Sequence, residues 1–390
     1  MIRLVINSIP TAPGGGLTNL LGLLEGWKAI GANLEIAILA SRKPTIEALH
    51  SNGYGEQVVP VPEMSRLKRE WWQRFSLPGV LRNLNADLLL SNNYTMPGVP
   101  CPQVVHHQTL DNFFAPGLLP YWRRGKQFFV QTLMARRTLR QASANVFISH
   151  HLRKCAEGLV PSSRDRNEVV HYGLSEYYSK LARSRSDHER DPHHVCALQF
   201  PAGYKDNESL LVSLAQVVHA QPNQPWRLDI AGWGDWTAWK ERAAQLGIAD
   251  RVQFLGFRTG QQVAEMLREA GVLVYPSVFE GFGLPVIEAM ASGCPVIAVN
   301  GTAIPEVAGN AAVLVPPRSP NDIASALLHL ADDAEARANL SARGLARARQ
   351  FSWIAAARQF CRVFERVLHV PVHETARIPT IVPVEAAMAA

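Results

Sequence analysis

Residues 276–295 read PSVFEGFGLPVIEAMASGCP, and what flanks this stretch decides the fold. Val272, Leu273, Val274 and Tyr275 lead into it as a short apolar run, the mark of a strand covered on both faces. Glu280, Gly281, Phe282, Gly283 and Leu284 follow as a flexible turn. A helix is expected from Pro285, because proline at the first helical position gives up only an N–H that has no partner there. Gly293 suits the position just past the helix end. Strand, glycine turn and helix start together expose backbone N–H groups beside residues that let a ligand approach closely, an anion-binding arrangement. Two carboxylates bracket it: Glu280 in the turn and Glu288 about one turn into the helix.

The same alternation extends in both directions. Apolar, β-branched runs occur at 2–6, 34–39, 87–90, 103–106, 145–148 and 168–170, then at 194–199, 226–231, 252–255, 272–275, 295–299 and 312–315. Helical spacing fills intervals at 17–30, 209–219, 235–246, 260–270 and 320–330, and a long final pattern covers 347–368. Strands alternating with helices predict α/β domains with parallel sheets. A length of 390 residues suggests two of them. The stretch 176–194 is rich in Ser, Arg, Asp and His and breaks the pattern as a linker would. The expected layout is a first domain over 1–180, a linker over 181–193 and a second domain over 194–351. A returning helix over 352–370 and a tail over 371–390 complete it.

With 47% apolar and 18% charged residues the chain is a globular protein. The N-terminal apolar run reads as a strand rather than a signal peptide, and no stretch reaches the ~18 apolar residues of a membrane span. Five scattered cysteines lack zinc-site spacing and read as reduced thiols of a cytoplasmic protein. The net charge of +6 is concentrated. Arg66, Lys68, Arg69, Arg74 and Arg82 lie among Trp71, Trp72 and Phe75; Arg123, Arg124, Lys126, Arg136, Arg137 and Arg140 lie among Tyr121, Trp122, Phe128 and Phe129. Such clusters suit a solvated helix face or the surface of an anionic membrane. Two in one half favour peripheral membrane contact, at the inner face. Nucleic acid is not expected as a partner, because no recognition motif accompanies the charge.

Several chemistries are missing. There is no Asp-x-Asp to bridge a metal to a diphosphate, so no metal is expected. There is no P-loop, no Gly-x-Ser-x-Gly elbow and no dinucleotide fingerprint after the first strand. What remains is an anion site built from helix starts, glycines and a lysine. Gly14, Gly15 and Gly16 lie between the first strand and its helix, where they suit a tight turn as well as a phosphate cradle. Lys205 follows the strand 194–199. Most lysines are solvated surface residues, but this position allows a point charge opposite a phosphate leaving group.

Ala231-Gly232-Trp233-Gly234, the run 252–256, Tyr275-Pro276-Ser277, the spacing of Glu280 and Glu288, Gly293-Cys294-Pro295-Val296 and Glu306 ahead of Ala308-Gly309 resemble the family-4 glycosyltransferases. These are retaining enzymes of the GT-B fold. The match runs in register over about 195–353. The first half resembles the family more loosely, through the Gly14–Gly16 loop, the strand end at His107, Ser149 and the turn at Gly173. The resemblance implies two Rossmann-like domains facing across a cleft, with the final helix returning to the first. It implies no cofactor, with a nucleotide-diphosphate sugar as donor substrate and a glycan or lipid-linked acceptor, in cell-surface polysaccharide or glycolipid synthesis. It gives catalytic roles to Glu280, His107 and Lys205. Gly281, Phe282, Gly283 and Leu284 would contact the donor through their backbone, Glu288 the ribose, and Gly14, Gly15 and Gly16 the phosphates. One departure stands out: Phe200 occupies the place where many members carry an arginine, five residues before the lysine. That leaves two further readings, a catalytically silent glycosyltransferase-like partner subunit and a GT-B sugar-nucleotide epimerase.

Overall fold

A computed structural model describes residues 1–11, 14–110, 125–175, 178 and 190–372. The chain divides into two compact units, Met1–Gly173 with Trp353–Ala390, and Leu174–Ser352.

The first unit holds seven strands: β1 (Ile2–Asn7), β2 (Leu34–Ala40), β3 (Val58–Pro60), β4 (Leu88–Asn92), β5 (Gln103–His107), β6 (Ala144–Phe147) and β7 (Asn167–Val169). They pair in parallel in the order β3-β2-β1-β4-β5-β6-β7. Leu88, Leu89 and Leu90 are buried in succession, as expected of a strand with helices on both faces. β3 escaped the sequence reading because its three residues are too few to show a period.

The second unit holds β8 (Asp191–Leu198), β9 (Arg227–Ala231), β10 (Val252–Gly256), β11 (Ala270–Tyr275), β12 (Val296–Val299) and β13 (Val313–Val315), parallel in the order β10-β9-β8-β11-β12-β13. Its core packs Trp226, Leu228 and Ile230 against Leu210 and Leu214 of the helix Asn207–Ala220. In each sheet the winding reverses once, between β1 and β4 and between β8 and β11. Open α/β sheets bind ligands at such switch points, beyond the carboxyl ends of the strands.

The final helix, Trp353–Leu368, packs within the first unit on the helix Gly15–Ala29, so the expected return to the first domain is present. Trp27 meets Phe360 at 6.0 Å and Phe364 at 5.9 Å between ring centroids. Gly22 and Gly26 make the approach possible: a Cβ on Gly22 would lie 2.1 Å from the Trp353 indole, and one on Gly26 2.4 Å from the Trp353 carbonyl oxygen.

Some expectations need correcting. The helical pattern at 347–368 is two elements, the ends of Ala334–Ala348 and Trp353–Leu368. They are separated where Phe351 turns inward onto Phe282, at 5.7 Å. The first unit's leading segment ends at Gly173 rather than at 180. The linker read over 181–193 falls outside the described residues as far as 189, and β8 already begins at Asp191. Arg190 ties that start down by donating to the carbonyls of Leu267, Ala270 and Ser292. The tail read over 371–390 lies outside the described residues from 373. Among the described residues no helix is long and apolar enough to cross a membrane.

Candidate active site

The second sheet places Lys205 beyond β8 and Glu280 beyond β11, on the two sides of its switch point. β11 is buried along its whole length, which fixes where Tyr275 leaves the sheet. The chain then turns through Pro276, Ser277 and Glu280 into the helix Leu284–Ala291. That helix starts one residue earlier than expected. Gly283 supplies the left-handed residue before it, at φ 101°, with no side-chain cap on the helix start. Only glycine fits there: a Cβ would also sit 2.5 Å from Ile304 Cδ1. Ser292 and Gly293 end the helix, with Gly293 left-handed at φ 70°.

A single oxygen organises this site. Glu280 Oε1 accepts from Lys205 Nζ at 2.6 Å, from the Tyr275 hydroxyl at 2.7 Å and from Ser277 Oγ at 2.6 Å. Lys205 also donates to the Tyr275 hydroxyl at 3.0 Å. The Glu280 amide donates to Thr302 Oγ1 at 3.1 Å. Lys205 is buried, with its ammonium 4.8 Å from the ring centroid of Phe200, 5.0 Å from Tyr275 and 5.4 Å from Tyr204. Aromatic faces stabilise a desolvated cation, and the carboxylate neutralises it. The Tyr275 hydroxyl is held far above its ordinary range, by burial and then by the Glu280 carboxylate, so it stays a proton donor.

Phe200 therefore stands over the lysine where an arginine would bring a second positive charge. It stacks on Trp233 at 5.9 Å and 14°. Trp233 is 69% exposed, held between Gly232 and Gly234 in the loop after β9. Glu288 lies in the helix Leu284–Ala291 and accepts a hydrogen bond from Tyr178. Crowding by apolar neighbours raises its carboxyl from the ordinary range to about 7, and the Tyr178 bond partly opposes the rise.

The structure thus brings Lys205 and Glu280 into contact, with Gly281, Phe282, Gly283 and Leu284 continuing from them. Gly14, Gly15, Gly16 and His107 belong to the first unit. Gly14 is left-handed at φ 120° and exposed, and precedes the uncapped start of the helix Gly15–Ala29. His107, given a catalytic role by the resemblance, lies inside the first unit. It ends β5 opposite Phe147 of β6, stacks on that ring at 4.6 Å and donates from Nε2 to Asn145 Oδ1 at 3.0 Å. Burial lowers its pKa to about 4, so the ring is neutral. Sequence reasoning missed Ser277, Tyr275 and Thr302 as partners of Glu280. The serine three residues before the glutamate was the available signal, since a hydroxyl at that spacing in a turn can reach back to a carboxylate.

Residues 192–333 match the family model described as Glycosyl transferases group 1. Over 124 residues the chain is 39% identical to the O-antigen chain mannosyltransferase B of Escherichia coli, covering 31% of this chain and 32% of that protein. Over 168 residues it is 33% identical to a D-inositol 3-phosphate glycosyltransferase of Corynebacterium glutamicum, covering 41% and 40%. The chain thus spans about a third to two fifths of the length of these relatives. Among solved structures it is similar to Anabaena Alr3699/HepE in complex with UDP-glucose, with a TM-score of 0.72 at 16% identity over 94% of this chain and 100% of that one. It is also similar to WaaG, a glycosyltransferase involved in lipopolysaccharide biosynthesis, with a TM-score of 0.69 at 14% identity over 92% and 98%. The fold is GT-B, and the second unit carries a group 1 glycosyl transferase domain of the family-4 type.

Proposed function

We propose that this protein is a retaining, metal-independent glycosyltransferase. It moves a sugar from a nucleotide-diphosphate donor, a GDP- or UDP-sugar, to a hydroxyl of a glycan or lipid-linked acceptor. The observation that carries the reading is the buried Lys205–Glu280 pair at the switch point of the group 1 domain. Relatives named as mannosyltransferases and inositol-phosphate glycosyltransferases, and a neighbour holding UDP-glucose, support it.

In transfer, the bond from the sugar C1 to the diphosphate oxygen breaks and a bond from C1 to the acceptor oxygen forms. The acceptor proton passes to the departing diphosphate, on the face from which it leaves. Lys205 stabilises the charge that develops on the diphosphate, the largest lever available without a metal. Glu280 then exchanges its internal donors for hydroxyls of the sugar, while Glu288 receives the ribose hydroxyls. The start of the helix Leu284–Ala291 adds its dipole. A silent partner subunit is favoured by one observation, the aromatic Phe200 over the lysine. The purified chain separates these readings. With a matching sugar nucleotide and an acceptor extract it should release nucleoside diphosphate, unaffected by EDTA. Nucleoside diphosphate at a hundredfold excess over Kd should stabilise the protein by about 2.7 kcal/mol. Binding with neither release nor conversion of the donor would mark the silent subunit, and conversion of the donor into another sugar nucleotide without any acceptor would mark an epimerase.

Glu288 makes donor binding depend on pH. Its folded-state pKa of about 7 lies above the ordinary carboxylate value, so its contribution to stability is complete below about pH 4.5 and is lost as pH rises through 7. Accepting ribose hydroxyls needs the carboxylate, so binding should run the opposite way. Affinity for nucleoside diphosphate is expected to rise about tenfold from pH 6 to pH 8. The terminal phosphate of the ligand also ionises near pH 6. The Glu288→Gln variant should keep only that shallower ligand dependence, by calorimetry. Identical profiles for the two proteins would remove Glu288 from the ribose site.

A further inference from the structure

The first unit contains a cavity of about 660 Å³ beyond the ends of β1 and β4, at its own switch point. This lies within the range of small-molecule sites. Its lining has three chemistries. At the floor are Asn7, the last residue of β1, and Asn92, the last of β4. Asn7 is 2% exposed, and its side-chain oxygen has no hydrogen-bond partner among the described residues. A buried amide oxygen in that state calls for a donor such as a hydroxyl.

The walls are cationic. Arg69, Arg74 and Arg137 line the cavity, and Glu70 is the one acidic residue among its described lining residues. Arg69 and Arg74 form no ion pair among the described residues. The rim is apolar. On the helix Arg66–Phe75, Leu67, Trp71 and Phe75 recur every fourth residue and are 72%, 67% and 60% exposed. Trp71 and Phe75 stack at 4.8 Å. Met134, of the helix Gly125–Gln141, lines the same cavity.

We propose that this groove holds the acceptor, and that the acceptor is a lipid with a phosphate-bearing, hydroxyl-bearing head. The proposal rests on the glycosyltransferase reading above. The head enters first, with its hydroxyl on Asn7 and its phosphate among the arginines, where paired guanidinium donors match phosphate oxygens. The chain lies along Trp71 and Phe75. A free glycan would leave the aromatic stripe uncovered, and a bare phosphate would leave both the stripe and Asn7 unsatisfied. A flat membrane surface would use the stripe and the charges but not the cavity floor.

Calorimetry on the full chain tests this with farnesyl phosphate below its aggregation concentration, farnesol and inorganic phosphate as probes. Farnesyl phosphate should bind at least tenfold more tightly than either part alone. Trp71→Ser and Arg74→Gln, both exposed and compatible with folding, should each weaken it at least fivefold. Nucleoside diphosphate should stabilise these variants as it does the wild type, because neither Trp71 nor Arg74 is among the residues assigned to the donor. Equal binding of the three probes, or variants that bind farnesyl phosphate normally, overturns the proposal and leaves the donor reading standing. Failure of the wild type to bind nucleoside diphosphate overturns the functional reading and the acceptor role with it. Tryptophan-dependent binding to phosphatidylglycerol vesicles without binding of monomeric farnesyl phosphate makes the stripe a membrane face, which also overturns the proposal.

Discussion

Lys205→Ala is expected to lower sugar transfer by about a thousandfold while leaving a folded protein, through loss of the cation that stabilises the departing diphosphate. Phe200 stands where the resemblance expects a second cation, and no basic residue lies between His194 and Lys205. The loss should therefore fall at the upper end of what removing one electrostatic group costs, about 4 kcal/mol of barrier. Stability should respond less. Glu280 keeps two of its donors, the hydroxyls of Tyr275 and Ser277, when the lysine is gone. Destabilisation of about 1–3 kcal/mol follows from leaving a mostly buried carboxylate without its counter-charge. The double variant Lys205→Met, Glu280→Gln removes both charges and should recover much of that stability without recovering transfer. Transfer rates and urea unfolding of the single and double variants separate the two effects. A lysine variant that retains transfer within threefold would sink the assignment of Lys205, whatever its stability.

Phe200→Arg makes the same point from the other side. The arginine would meet Lys205 at close range and lose the stack on Trp233. The aromatic choice at position 200 thus belongs with Trp233, two residues that only the folded chain brings together. This marks where sequence reading stops. The strands and the switch-point ends were legible because parallel sheets bury continuous apolar runs, and because glycine and proline punctuate the turn from β11 into its helix. Glu280 and Lys205 were singled out in the sequence through a resemblance to a family pattern. Their direct contact was not, because 75 residues separate them and nothing local records which way a lysine after β8 will point. The direction of the His107 ring was equally hidden in the sequence. Its place at a strand end is that of a ligand-facing residue, yet the ring turns into the layer between β5 and β6, where Phe147 and Asn145 enclose it. Asn7 was passed over because an asparagine ending a strand usually finds a backbone partner.

Gly232→Ala should be the most destabilising small substitution in the second unit. Gly232 leaves β9 at φ 157°, a conformation that residues with a Cβ rarely adopt, and an added Cβ would lie 1.5 Å from the carbonyl oxygen of Gln199. That oxygen is backbone at the exit of β8, so no side-chain rotation relieves the clash. Both loops are also tied: the Gln199 amide donates to the Ala231 carbonyl, and the Gly232 amide to that of Gly256. Backbone strain of about 1–3 kcal/mol adds to overpacking of about 1–3 kcal/mol. Together they should lower the melting temperature by about 10 °C for a unit of this size. The displaced strand exit carries Phe200 and leads to Lys205, so donor affinity should fall as well. Gly203→Ala in the same loop is the control. An added Cβ there meets nothing within 4 Å, so it should leave melting temperature and donor binding nearly unchanged. If the two variants melt alike, the close approach of the β8 and β9 exits is not what holds the lysine loop in place.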